Sequence, residues 1–214
     1  MRKFNTAGPI RPARDYHIPP LDRFDLPEVL ELIRDERYFV VYAPRQTGKT
    51  SALLALRGLL NGGTVGDYRC AYINVEPAQT AREDVGRAMG AIASQIAREA
   101  RYTLNDHATA EVAEELDTNR RPDDALGTLL ETWARAADSP LVLLIDAMVG
   151  DSLVSVLRQL RTGYVRRPEG FPQSVVLSGV LETSSGRTPS TGSAGPSTPR
   201  RVRSWCCRRS CTGW

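Results

Sequence analysis

Apolar residues along the chain follow two alternating patterns. Short continuous runs of β-forming residues are separated by longer stretches in which apolar residues recur every three or four positions. The runs predict buried strands, and the stretches predict amphipathic helices. The predicted strands are 38–43, 70–75, 141–146 and 174–180, and the predicted helices are 26–35, 49–60, 81–101, 122–137 and 151–162. Helices that alternate with apolar strands indicate an α/β domain with a parallel sheet.

The segments outside this pattern divide the chain into three parts. Residues 1–27 are rich in proline and predict an irregular segment that packs on the core. Residues 28–180 form the predicted domain, within which the polar and acidic stretch 102–121 predicts a surface segment with one or two helical turns. Residues 181–214 are dominated by Ser, Thr, Gly, Pro and Arg without any period, so this tail is expected to be disordered.

The loop between the first strand and the second helix has the spacing of a phosphate-binding loop. From Ala43 to Gly48-Lys49-Thr50 it fits the pattern G-x-x-x-x-G-K-[ST], with Ala in the first glycine position. Such a loop turns backbone N–H groups towards one point at a helix amino terminus, where the helix dipole adds positive charge. In this pattern Lys49 contacts the β- and γ-phosphates, and the Thr50 hydroxyl ligates Mg²⁺. The candidate nucleotide-binding residues are Pro44, Arg45, Gln46, Thr47, Gly48, Lys49, Thr50 and Ser51.

A second candidate motif is the apolar run 141–145 followed by Asp146. A carboxylate at the carboxyl end of a buried parallel strand lies where ligands bind in such sheets. Combined with the loop, this run predicts a Walker B aspartate that supports Mg²⁺. Thr50 and Asp146 are therefore the candidate metal ligands, and Lys49 and Asp146 are the candidate catalytic residues. The predicted cofactors are ATP and Mg²⁺.

The charge is unevenly distributed along the chain. The formal net charge is +3, but the segment after Val180 holds six Arg and one acid. The first 180 residues therefore hold 22 of the 28 basic and 24 of the 25 acidic residues, a net charge of −2. Nucleic acid is not expected as a partner of the globular part. A basic tail that binds nucleic acid is the alternative interpretation of the remainder.

The cysteine pattern and the lack of long apolar runs bear on the expected cellular compartment. Three of the four cysteines lie in the tail, and no disulfide framework or zinc-ligand spacing is present. Cys70, in the second predicted strand, is expected to be a small buried residue. No signal peptide or long apolar run is found, which favours a cytoplasmic protein without membrane contact.

Together these blocks resemble a bacterial family of AAA-like P-loop ATPases (AAA+/STAND-like ATP-binding proteins). The family has an added strand between the strands that carry its two nucleotide-binding motifs. The blocks that carry the likeness are 4–9, 16–20, 38–40, 43–50, 150–153 and 156–161. The resemblance implies a three-layer P-loop NTPase fold of ASCE/AAA type, a strand order of 5-1-4-3-2, and ATP hydrolysis as the ancestral activity.

The first departure from this family follows Asp146. Relatives carry a glutamate there that polarises the attacking water, whereas in this chain Ala147 follows Asp146 directly. About three residues of the family pattern, the glutamate among them, are missing before Gly150. Loss of such a base predicts weak or absent hydrolysis. Whether Glu76, at the end of the second strand, approaches the γ-phosphate in its place stays open.

The second departure is the end of the chain. The family continues past Val180 with a fifth strand and a helical lid, whereas this tail has the composition of GC-rich coding sequence read out of frame. We therefore hypothesise a truncated domain whose native frame ends near Val180. A missing fifth strand exposes one edge of the first strand and predicts aggregation.

Two other functions remain open from the residues alone. One is a P-loop kinase that acts on a small molecule, although the long interval between Lys49 and Asp146 suits the AAA-like layout better. The other is a non-functional remnant of an ATPase gene. Protein partners are not indicated by the sequence.

Overall fold

A computed structural model describes most of the chain before the tail. The described residues are 3–4, 11, 13–16, 18–23, 25–44, 46–76, 85–118, 122–146, 151–180 and 206–207.

The centre of the fold is a parallel sheet of four strands. The strands are β1 (Tyr38–Ala43), β2 (Arg69–Asn74), β3 (Leu141–Asp146) and β4 (Ser174–Val180). Their order is β2-β3-β4-β1, so β4 lies between the strand that leads into the loop and the strand that ends in Asp146. This is the order 1-4-3-2 expected for the first four strands.

Helices alternate with these strands along the chain. They are α1 (Leu26–Arg34), α2 (Lys49–Asn61), α3 (Val85–Thr103), α4 (His107–Thr118), α5 (Pro122–Ala136) and α6 (Asp151–Gly163), with short 3-10 helices at Pro20–Arg23 and Tyr164–Arg166. The described part of the chain contains no helix long and apolar enough to cross a membrane.

The sheet is covered on both faces, because side chains on each strand alternate between two apolar clusters. One cluster joins α1 and α2 to one face, through residues such as Leu53, Val142 and Val176. The other joins α3, α4, α5 and α6 to the opposite face, through residues such as Trp133 and Leu143. All six residues of β3 are buried, as expected for a central parallel strand.

The outer edge of β2 is closed by side chains. Asn61, at the end of α2, donates from Nδ2 to the Cys70 carbonyl (2.9 Å) and accepts the Cys70 N–H on Oδ1 (2.7 Å). The carboxylate of Glu99 accepts the N–H of Tyr72 at 3.2 Å. These contacts satisfy backbone groups that would otherwise attract another strand. Cys70 itself is fully buried and free, as predicted.

The segment 102–121 differs from its prediction. The sequence predicts one or two helical turns at the surface, whereas α4 is a helix of 12 residues with Ala110 and Ala113 buried. Asp106 accepts the Thr109 N–H at 3.0 Å and so caps the start of this helix. The buried apolar side chains are small alanines, which contribute little hydrophobicity and hide the helical period.

The outer edge of β1 also differs from its prediction. The tail is expected to be disordered and this edge exposed, but Cys206–Cys207 forms a two-residue strand, β5, antiparallel to β1. It pairs with Val41 and Tyr42. The reason lies in β1, whose unpaired edge groups can accept any extended segment.

Candidate phosphate-binding site

The loop between β1 and α2 contains two residues in the left-handed region of backbone conformation. Gln46 and Gly48 both have positive φ values, 60° and 84°. Glycine adopts this region easily, whereas for Gln46 it is uncommon. Arg45 lies outside the described residues.

The amino terminus of α2 lies directly behind this loop. Gly48 occupies the cap position and offers no side-chain cap. The helical hydrogen-bond ladder includes a bond from the Ala52 N–H to the Gly48 carbonyl at 3.0 Å. The first N–H groups of an α-helix have no intrahelical acceptor, and the first turn of α2 carries no acidic residue. The loop therefore faces the positive end of a helix dipole. Ser51 lies in this first turn.

The side chain of Lys49 lies across the loop. Its Nζ donates to the carbonyl of Ala43 at 3.0 Å and to that of Pro44 at 2.8 Å. The Thr47 hydroxyl also donates to the Pro44 carbonyl, at 2.8 Å. An ammonium group has three donors, and a charged phosphate oxygen is a stronger acceptor than a neutral carbonyl. Lys49 is therefore held within the loop by bonds that a phosphate can replace.

The two candidate metal ligands are in direct contact. Asp146, at the end of β3, is 6% exposed. Its Oδ2 accepts a hydrogen bond of 2.6 Å from the Thr50 hydroxyl on α2. The structure thus brings the residues predicted from the two motifs to one point, across the intervening strand β4.

Tyr72 also contacts this carboxylate and was not predicted from the sequence. Its hydroxyl donates to the same Asp146 oxygen at 3.0 Å. Asn74 pairs with Asp146 in the register of β2 and β3, so Tyr72 lies two residues earlier on β2. A signal was available: Cys70 and Tyr72 share the strand face towards α2, and a tyrosine in a mainly apolar position commonly uses its hydroxyl.

The environment of Tyr72 keeps its hydroxyl protonated. Burial raises the pKa of the phenol well above its ordinary value, and the negative charge of Asp146 raises the pKa further. The phenol therefore acts as a hydrogen-bond donor to the carboxylate throughout the physiological pH range.

Glu76 follows the point where β2 leaves β3. The Val75 N–H donates to the Asp146 carbonyl at 3.1 Å, and the Glu76 N–H donates to Asn74 Oδ1 at 2.9 Å. The residue is exposed at the carboxyl edge of the sheet. Residues 147–150, where the family has its glutamate, lie outside the described residues.

The residues present fit a magnesium ion bound together with a phosphate. Within the described ranges, no group of three or more His, Cys, Asp or Glu could hold a metal ion by itself. Mg²⁺ commonly takes only one or two protein oxygens and completes its shell with water and substrate phosphates. The Thr50 hydroxyl and the Asp146 carboxylate are oxygen ligands of this kind.

In comparisons with known proteins, no protein-family model, curated protein or solved structure matches the chain.

Proposed function

We propose that this protein binds a nucleoside triphosphate, ATP, together with Mg²⁺, as an AAA-like ATPase domain whose own hydrolysis is slow. The observation that carries the proposal is the 2.6 Å contact between Thr50 and Asp146, which are 96 residues apart in the chain. The phosphate-binding-loop pattern and the strand-ending aspartate are far apart in the chain, and their meeting at one point is what joint binding of a phosphate and Mg²⁺ requires.

The loop supplies the groups that hold the phosphates. Backbone N–H groups at the start of α2 and the Lys49 ammonium provide hydrogen bonds and positive charge. Thr50 and Asp146 would hold Mg²⁺, which neutralises phosphate charge when bound. The strand order supports the same class, because β4 separates β1 from β3 as in P-loop proteins with an added central strand.

Slow hydrolysis follows from the residue after Asp146. Ala147 cannot accept a proton from water, and removal of a general base typically lowers a rate by about 10²–10⁴-fold. We expect bound ATP to be hydrolysed slowly, which single-turnover hydrolysis measures directly.

A titration with ATP and Mg²⁺ by calorimetry tests the proposal. Lys49→Ala should weaken binding at least tenfold, since it removes a charge-assisted contact worth about 1.5–3 kcal/mol. Lys3 is the only other lysine in the chain, so Lys3→Ala is a matched control that should bind as the wild type does. Equal affinities of wild type and Lys49→Ala would remove the assignment of the site.

A further inference from the structure

We infer that Tyr72 is a positioning residue for Mg²⁺: it holds the Asp146 carboxylate in the orientation that the metal requires. The inference rests on the proposed function and extends it to a residue outside both motifs. Tyr72 reaches the site from β2, whereas Thr50 reaches it from α2.

The two hydroxyl groups constrain the carboxylate from different elements. Thr50 and Tyr72 donate to the same oxygen of Asp146, at 2.6 and 3.0 Å. A single hydrogen bond leaves a carboxylate free to rotate about it, whereas two donors on separate elements restrict that rotation. In addition, the Thr50 hydroxyl keeps its lone pairs for a metal while its proton is directed at Asp146.

Burial makes the second donor important. Asp146 is almost fully buried, and a buried carboxylate needs several donors to offset its lost hydration. Removal of the Tyr72 hydroxyl leaves the carboxylate less well solvated. It can then turn away from Thr50 or admit water, and either change disturbs a metal ligand.

Tyr72 is itself anchored from the opposite side. Its N–H donates to Glu99 on α3 at 3.2 Å, and Glu99 accepts from Arg57 on α2 at 2.7 Å. The side chain of Glu99 is only 13% exposed. The helix that carries Thr50 is thus connected to Tyr72 twice, through Asp146 and through Glu99. This closed set of bonds holds β2 against α2 at two points along the helix.

The test separates metal binding from nucleotide binding in the full chain. ATP affinity is measured by calorimetry over a series of MgCl₂ concentrations and in EDTA. Tyr72→Phe keeps the ring and should raise the Mg²⁺ concentration needed for half-maximal enhancement by about tenfold, the lower end for loss of a supporting contact to a metal ligand. ATP affinity in EDTA should be unchanged, because Tyr72 is proposed to act on the metal ligand Asp146 and not on the phosphates.

Tyr38→Phe is the matched control. Its hydroxyl makes a comparable hydrogen bond, 2.9 Å to the Pro172 carbonyl, at the opposite end of the sheet. This variant should keep the wild-type Mg²⁺ dependence. A general loss of stability would shift both variants alike and would overturn the inference.

A double variant tests whether Tyr72 acts through Asp146. In an Asp146→Asn background, which already lacks the carboxylate, Tyr72→Phe should produce no further shift in Mg²⁺ dependence. Additive shifts would contradict the inference, as would an unchanged Mg²⁺ dependence in Tyr72→Phe alone. If instead wild type and Lys49→Ala bind ATP equally, the proposed function fails, and the inference fails with it.

Discussion

The Thr50 hydroxyl donates a 2.6 Å hydrogen bond to Asp146, and this bond joins the first turn of α2 to the end of β3. Thr50→Val keeps the shape of the side chain and removes the donor. We expect it to lower the free energy of unfolding by about 1–2 kcal/mol, because a buried carboxylate loses a partner. Under the proposed function, it should also abolish the increase in ATP affinity that we expect Mg²⁺ to produce.

Thr50→Ser is the control for this prediction, since it keeps the hydroxyl. Urea denaturation reports the stability, and ATP titration with and without MgCl₂ reports the metal dependence. The serine variant should resemble the wild type in both. If the valine variant kept the full Mg²⁺ effect, Thr50 would have no part in holding the metal.

Gly163 is required because the ring of Phe171 occupies the space where a side chain would begin. A Cβ at Gly163 would lie 2.3 Å from two ring atoms, and Phe171 is buried. Gly163→Ala should therefore destabilise the protein by about 1–3 kcal/mol, the usual cost of overpacking. The cost comes from space alone, since Gly163 has a φ of −82° that any residue can adopt.

Gly58, in the exposed middle of α2, is the matched control for that substitution. Among the residues that the structure describes, no atom outside its own helix neighbourhood lies within 4 Å of its added Cβ. Gly58→Ala should stabilise the protein by about 0.5–1 kcal/mol, because alanine favours helix over glycine. Denaturant unfolding of the two variants side by side should give opposite signs. Equal effects would contradict the packing described around Phe171.

Stability should fall at alkaline pH because one buried thiol and two partly buried phenols resist ionisation. Burial is the main cause that raises the pKa values of Tyr38, Cys70 and Tyr72 in the folded protein. The unfolded chain loses these protons first, near pH 8.5 for a thiol and about 10 for a phenol. These groups should make their full contribution to the free energy of unfolding below about pH 8.5. This contribution should decline as the pH rises above that value.

Urea midpoints between pH 7 and 11 check this decline. Cys70→Ala should remove the decline in urea midpoint that begins near about pH 8.5. Tyr38→Phe should reduce the further decline that begins near about pH 10. Each variant is compared with its own midpoint at pH 7, so its general effect on stability cancels. A wild-type midpoint that stays constant to pH 11 would contradict the burial of these groups.

The fold was predictable where one physical signal dominates. The continuous apolar run 141–145 in β3 predicts a buried strand, and the motif around Gly48 and Lys49 marks the junction of a strand with a helix. α5 lies within the predicted helix 122–137, and its apolar residues Leu129 and Trp133 are buried, as an amphipathic helix requires.

The parts that were missed depend on partners that are distant in the chain. α4 buries small alanines against neighbouring helices, and their hydrophobicity is too weak to mark a face. Tyr72 donates a hydrogen bond to Asp146, which is 74 residues away in the chain. No local sequence pattern predicts a hydrogen bond between residues so far apart. The contact of β5 with β1 likewise depends on which chain segment reaches an open sheet edge.

The most direct test of the central claim is the reactivity of Lys49 towards an amine-acylating reagent, followed by mass spectrometry. Lys3 and Lys49 are the two lysines of the chain, so each serves as a reference for the other. At an ATP·Mg²⁺ concentration 100 times the Kd, only about one hundredth of the sites remain free, and acylation of Lys49 should slow by about that factor while Lys3 is unaffected. AMP at the same concentration, which lacks the β- and γ-phosphates, should not protect Lys49. Acylation of Lys49 at the same rate with and without saturating ATP would contradict the claim that this loop holds a triphosphate.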